Sequence, residues 1–235
     1  MDSEPKKESF ELSLGAPAAI LIAGVIIAGA IIYIGSGNKS DLLVGNVESG
    51  NQSEIDLKPI SSTDHVRGSF GASVIIVEFS DLECPFCKTF HATMQKIISE
   101  YGNEVAWVYR HFPLDIHSRA RDEAEATECA ALLGGNSGFW KYIDGVFEIT
   151  PSNNNLEPDL LLTVAEEIGL DRKAFEECLT SDKYANYIEQ SITDAVNAGA
   201  RGTPHSILIT KSGEMIPISG ALPYSEVKEM VKSAL

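Results

Sequence analysis

Basic residues are scarce in this sequence: 18 lysines and arginines stand against 34 aspartates and glutamates, a formal net charge of −16. A chain of that sign repels phosphate, which argues against nucleic acid as a partner. Acidity mainly serves solubility and says little about fold. Cysteine is also sparse, and an even count of four permits two disulfides without requiring any. There is one Cys-x-x-Cys and no second, and no histidine pair has zinc-finger spacing. His91, His111 and His117 with Cys84 and Cys87 therefore make a poor metal set, and no metal is expected. At 44% hydrophobic and 22% charged over 235 residues, the chain suits one globular domain plus an appendage.

Charge is missing altogether from Ala16 to Ile34. As a helix that run spans about 28 Å, close to a bilayer core of about 30 Å. A cleaved signal peptide has a shorter apolar region and a small-x-small exit. The run ends instead in Ile32-Tyr33-Ile34-Gly35-Ser36-Gly37. A retained transmembrane anchor over 16–34 is the expectation, with a cleaved signal or a buried core helix as the alternatives. Lys6 and Lys7 precede the run and only Lys39 closely follows it. The positive-inside rule then leaves residues 1–15 in the cytoplasm and the rest outside. Residues 35–64, rich in Gly, Ser and Asn, read as a flexible linker, with one short strand around Ile55-Asp56-Leu57. The sequons at Asn38 and Asn51 are chance matches in such a segment.

What the folded part, 65–235, does have is Cys84-Pro85-Phe86-Cys87 at a change of period. The apolar run Val74-Ile75-Ile76-Val77-Glu78-Phe79 precedes it and reads as a strand buried on both faces. Phe86, Phe90, Met94, Ile97 and Tyr101 follow at helical spacing. Two cysteines three apart at a helix start lie on one face, close enough to bond. The helix N-terminus favours a thiolate on the first of them, and Pro85 suits a first turn where no backbone donor is missed. Asp81 and Glu83 are expected to oppose that thiolate, since carboxylates beside Cys84 disfavour a second negative charge.

The stretch from Val77 to Cys87 resembles the active-site segment of the DsbA-like thiol:disulfide oxidoreductases of the thioredoxin superfamily. Arg110-His111-Phe112-Pro113-Leu114, Gly138-Phe139-Trp140 and Gly202-Thr203-Pro204 extend the resemblance in order from about Val66 to the C-terminus. It implies an α/β, thioredoxin-like fold with a helical insertion, and a cis Thr203–Pro204 loop set against the cysteine pair. It also implies that Pro85, Phe86, Thr203 and Pro204 meet the substrate, the Thr203 backbone pairing with an extended chain. Glu78 matches the buried acid of the family, relaying a proton to or from Cys87; a carboxylate that simply reaches water is the other reading. Strong oxidants of the family often carry a histidine between the cysteines, where this chain has Phe86.

Downstream, Val105 to Arg110 reads as a second strand, completing a β-α-β unit. Helical patterns then fill about 116–198, over Arg119 to Leu133, Phe139 to Ile149, Asp159 to Ile168, Lys173 to Leu179 and Tyr184 to Val196. Phe139, Trp140, Tyr142 and Phe147 are expected in its core rather than in a substrate groove. Cys129 and Cys178 both fall in this block: buried thiols in a reducing cytoplasm, a structural disulfide outside the membrane. His205 to Ile209 and Met215 to Ile218 form a hairpin through Lys211-Ser212-Gly213-Glu214, and a helix from Pro223 to Ala234 closes the chain.

The expected function is a membrane-anchored, extracytoplasmic oxidase of protein thiols, with the Cys84–Cys87 disulfide in place of any cofactor. A substrate thiolate attacks an exposed Cys84, and the substrate's second thiol resolves the mixed disulfide. The partners are thiol-containing proteins and, by the resemblance alone, a membrane recycling protein of the DsbB or vitamin K epoxide reductase type. A reductase or isomerase would use the same residues. A non-catalytic binding module would use the Cys-x-x-Cys as a staple.

Overall fold

The computed structural model describes residues 55–235. The anchor expected at 16–34, the segment before it and the linker up to residue 54 lie outside the described residues. Among the described residues no helix is long and apolar enough to cross a membrane.

A five-stranded sheet in the order β1-β3-β2-β4-β5 forms the centre. Strand β2, Val74–Ser80, runs parallel to β3, Val105–His111, and antiparallel to β4, His205–Ile209. Strand β5, Met215–Ser219, completes the expected hairpin on β4. Successive side chains of a strand face opposite ways, so β2 builds two cores. Val74 and Ile76 join Trp107 and Tyr109 on one face, under helix α1, Pro85–Tyr101. Val77 and Phe79 join Ala106, Val108 and Ile207 on the other, under helix α5, Ala185–Asn197. Helix α1 buries Phe90, Met94 and Ile97, a stripe at helical spacing, and ends at Gly102, whose φ of +55° a side chain would resist.

The inserted block begins with α2, Ala120–Ile149, which is broken at Gly135 (φ +63°, ψ −162°), between the two expected helical stretches. Just beyond the break, Gly138 lies where a Cβ would meet the Ala130 carbonyl oxygen at 2.6 Å. Helices α3, Asp159–Glu167, and α4, Arg172–Leu179, follow, the latter capped by Asp171, whose carboxylate accepts the Ala174 N–H at 2.8 Å. A disulfide joins Cys129 of α2 to Cys178 of α4. Phe139, Trp140, Tyr142 and Phe147 are buried in the core. Helix α6, Tyr224–Ala234, packs back on α1.

Two features depart from the sequence reading. Strand β1, His65–Arg67, pairs antiparallel with β3, a strand too short to show alternation. The strand expected around Ile55–Leu57 does not form, and residues 57–64 behave as part of the domain. Leu57 is buried in the second core. Arg110 donates to Asp64 at 2.8 Å and to the Lys58 carbonyl at 2.9 Å. Backbone carbonyls that satisfy a buried guanidinium bind a segment without any ladder.

Candidate redox site

Cys84 is the residue before the first turn of α1, in extended conformation, and Pro85 opens the helix. Pro85 and Phe86 are exposed, Phe86 by 65%. Cys84 itself is only 4% exposed, not the open thiol expected. The reason is a segment 119 residues away in sequence: the Cys84 thiol donates to the Thr203 carbonyl at 3.4 Å. The Thr203–Pro204 bond is cis and Pro204 is buried. The structure thus brings Cys84, Cys87, Glu78, Thr203 and Pro204 together.

The two sulfurs differ in electrostatics. The neighbouring Cys87 thiol first, then the nearby Thr203 hydroxyl and the N–H groups of Cys87 and Phe86, outweigh burial and lower the Cys84 pKa to about 6. Cys87 is fully buried, and burial first, then the neighbouring Cys84 thiolate and Glu78, push its thiol well above its ordinary value. The Asp81 N–H donates to the Cys87 sulfur at 3.4 Å.

Glu78 does not reach water. It is 0% exposed, and one oxygen accepts the Trp107 indole N–H at 2.9 Å. Burial raises its carboxyl to about 7, against the Trp107 hydrogen bond and the nearby Ser80 hydroxyl, which favour the charged form.

Asp81 and Glu83 are not among the largest influences on Cys84, and both carboxylates are engaged elsewhere. The Asp81 carboxylate accepts the N–H of Leu114 and of Glu83, each at 2.8 Å, and pairs with His117 at 2.8 Å. Glu83 accepts the Asn154 N–H. Sequence adjacency said nothing of these engagements. Glu123 lies against Glu83, and burial followed by that carboxylate raises it to about 10, so it is a neutral acid at pH 7.

The three histidines weighed for a metal each pair with a different carboxylate, and His65 shares Glu128 with His111. His91 pairs with Asp144 at 2.7 Å, His111 with Glu128 at 2.8 Å, and His117 with Asp81. Among the described residues no group of three or more His, Cys, Asp or Glu side chains is placed to hold a metal. His205 sits in β4, its pKa lowered by burial. Sequence reasoning missed Ser80, Trp107 and Tyr109. Strand parity from Glu78 would have placed Ser80 on the same face.

A family model described as thioredoxin matches residues 61–232. A Na(+)/H(+) antiporter NhaA 1 of Mycolicibacterium vanbaalenii is 32% identical over 152 residues, covering 63% of this chain and 24% of that protein. The chain thus spans about a quarter of the length of the curated relatives it matches. Among solved structures, Pseudomonas aeruginosa DsbA2 is similar at a TM-score of 0.62 and 25% identity, over 76% of this chain and 97% of that one. BdbD from Bacillus subtilis is similar at 0.63 and 23% identity, over 73% and 92%.

Proposed function

This chain belongs to the thioredoxin family, in its DsbA-like branch, and from that premise we propose that it oxidises protein thiols through Cys84 and Cys87. One observation carries the reading: of two adjacent sulfurs, Cys84 prefers the thiolate near pH 6 while Cys87 stays neutral and buried above a carboxyl that titrates near 7. That division suits an attacking and leaving group beside a buried proton store.

In the oxidising direction a substrate thiolate attacks Cys84, and Cys87 leaves with its bonding electrons. The substrate's second thiolate attacks its own sulfur in the mixed disulfide and releases Cys84 as a thiolate. A stabilised leaving thiolate favours release of the reduced enzyme, hence oxidation of substrate. The substrate is an extended, dithiol-bearing polypeptide. With Cys84 in a disulfide there is no S–H to donate, so the Thr203 carbonyl that it meets as a thiol is free to accept a backbone N–H from the substrate. Pro85, Phe86 and Pro204 flank that strand, Phe86 offering an exposed apolar ring.

The domain works outside the cytoplasm, held at the membrane by residues 16–34 and reoxidised there by a partner of the DsbB or vitamin K epoxide reductase kind. Supporting this are the uncharged run itself, the Cys129–Cys178 disulfide, and the description of a similar Salmonella enterica protein as periplasmic.

The test is turnover. A reduced dithiol peptide is mixed with glutathione disulfide as terminal oxidant and with the full chain in catalytic amount. Peptide disulfide should form many times faster than with glutathione disulfide alone. A folded protein that gives no acceleration contradicts the proposal.

A further inference from the structure

Glu78 and Ser80 lie two apart on β2 and so face the same way, towards α1. In the parallel pairing with β3, Glu78 stands opposite Tyr109, which therefore shares that face. The Cys87 sulfur reaches the same place, since it accepts the N–H of Asp81, the residue after Ser80. All four side chains are shut away from water: Glu78 0%, Ser80 1%, Cys87 0% and Tyr109 2% exposed.

Buried polar atoms are nearly always paired, and each exception calls for a reason. Here three occur together: one Glu78 carboxyl oxygen, the Ser80 hydroxyl and the Tyr109 hydroxyl make no hydrogen bond among the described residues. Yet Ser80 lies near enough to Glu78, Cys87 and Tyr109 to favour the charged form of each. A hydroxyl both donates and accepts and turns about one bond. Held among three titratable groups and committed to none, it is placed to exchange partners. Ser206 on β4 also stands opposite Glu78 with an unpaired hydroxyl, but it is not among the groups that act on Cys87.

We propose that the Ser80 hydroxyl carries the proton between Glu78 and Cys87. The inference rests on the oxidase reading above and deepens it. As the substrate thiolate bonds to Cys84, the Cys84–Cys87 bond breaks and its electron pair stays on Cys87. Ser80 gives its proton to that sulfur and takes the Glu78 proton in the same movement. Ser80 ends unchanged, Cys87 as a thiol and Glu78 as a carboxylate. When a disulfide oxidant restores the enzyme, the Cys84 thiolate attacks one of its sulfurs and displaces the other as a thiolate, and the proton of Cys87 returns through Ser80 to Glu78. Cys87 then closes the enzyme disulfide and expels the attacked sulfur as a second thiolate. The other groups facing this pocket are Trp107 from β3, Cys84 at the start of α1 and Asp81, whose carboxyl pairs with His117 and is raised by burial.

The experiment is single-turnover reduction of the oxidised full chain by dithiothreitol across pH, with rates divided by the thiolate fraction of the reagent. In the wild type the corrected rate should fall as pH rises through about 7, where Glu78 loses its proton. Ser80→Ala should slow the reaction below pH 7 on the order of 10- to 100-fold and flatten the profile. Glu78→Gln should flatten it likewise, Ser80→Thr should keep both rate and profile, and Ser206→Ala should change neither. If Ser80→Ala does not fold, the isosteric pair Ser80→Thr and Ser80→Val decides, since only the first carries a hydroxyl. Wild-type rate and profile in Ser80→Ala or Ser80→Val, with the profile lost in Glu78→Gln, overturns the relay and leaves the oxidase reading standing. An oxidised wild type that dithiothreitol cannot reduce at Cys84–Cys87 would overturn that reading itself.

Discussion

Replacing Cys84 with serine is expected to lower dithiol turnover by on the order of a thousandfold or more, the usual scale for loss of a nucleophile. Replacing Cys87 with serine is expected to stop the reaction halfway. The asymmetry follows from the site: Cys84 bears the thiolate and meets Thr203, whereas Cys87 is enclosed beneath it. A mixed disulfide on Cys84 has no second enzyme thiol to release it in Cys87→Ser. Covalent complexes with substrate proteins should therefore accumulate on non-reducing gels, and almost none should form in Cys84→Ser. The pH dependence has a definite sign. Cys84 titrates at about 6 in the fold against an ordinary 9.0, so its thiolate stabilises the reduced protein fully above pH 9. That contribution is lost as pH falls through 6. Attack by reduced enzyme on a disulfide should then rise tenfold per pH unit below about 6 and level off above it. Complexes trapped instead through Cys87 would reverse the roles of the two sulfurs.

The second large effect concerns the other pair. Cys129 and Cys178 are 49 residues apart, and closing a loop of that length stabilises by about 4 kcal/mol on the chain-entropy model. The bridge ties α2 to α4 in a block with buried Tyr142 and Phe175 beside it, their ring centroids 5.2 Å apart. Denaturant unfolding of the Cys129→Ala/Cys178→Ala variant should show a loss of this order, with a steeper slope because the unbridged unfolded chain exposes more surface. Its Cys84 chemistry should persist wherever it remains folded. A loss under about 1 kcal/mol would mean that packing alone holds the block, and that the chain-entropy figure does not apply here.

Much of this was legible in the residues, and what was not has a physical cause. Hydrophobic period revealed β2, α1 and the inserted helices because burial imposes that period locally. The strand-to-helix change placed Cys84 at a helix start, and with it the difference between the sulfurs. Adjacency is incomplete for Asp81 and Glu83: the carboxylates have partners at residues 114, 117 and 154, which no local reading can see. The resemblance set the Thr203–Pro204 loop against the cysteine pair, but that this approach leaves Cys84 only 4% exposed depends on packing that the motif does not show. Residues 57–64 read as a polar tether because their attachment runs through carbonyls, which every residue carries, to one arginine. Ser80 carries no signal of its own in the sequence, because its meaning lies in what surrounds it.

The most direct measurement is the equilibrium of the purified chain with glutathione buffers of graded potential, each disulfide being assigned by alkylation and peptide mass. Cys84–Cys87 should open and close reversibly as a two-electron couple above about −250 mV, while Cys129–Cys178 stays oxidised, as structural bridges below about −300 mV do. A Cys84–Cys87 bond that resists reduction as long as Cys129–Cys178 does, or longer, would contradict the assignment of this site to thiol exchange.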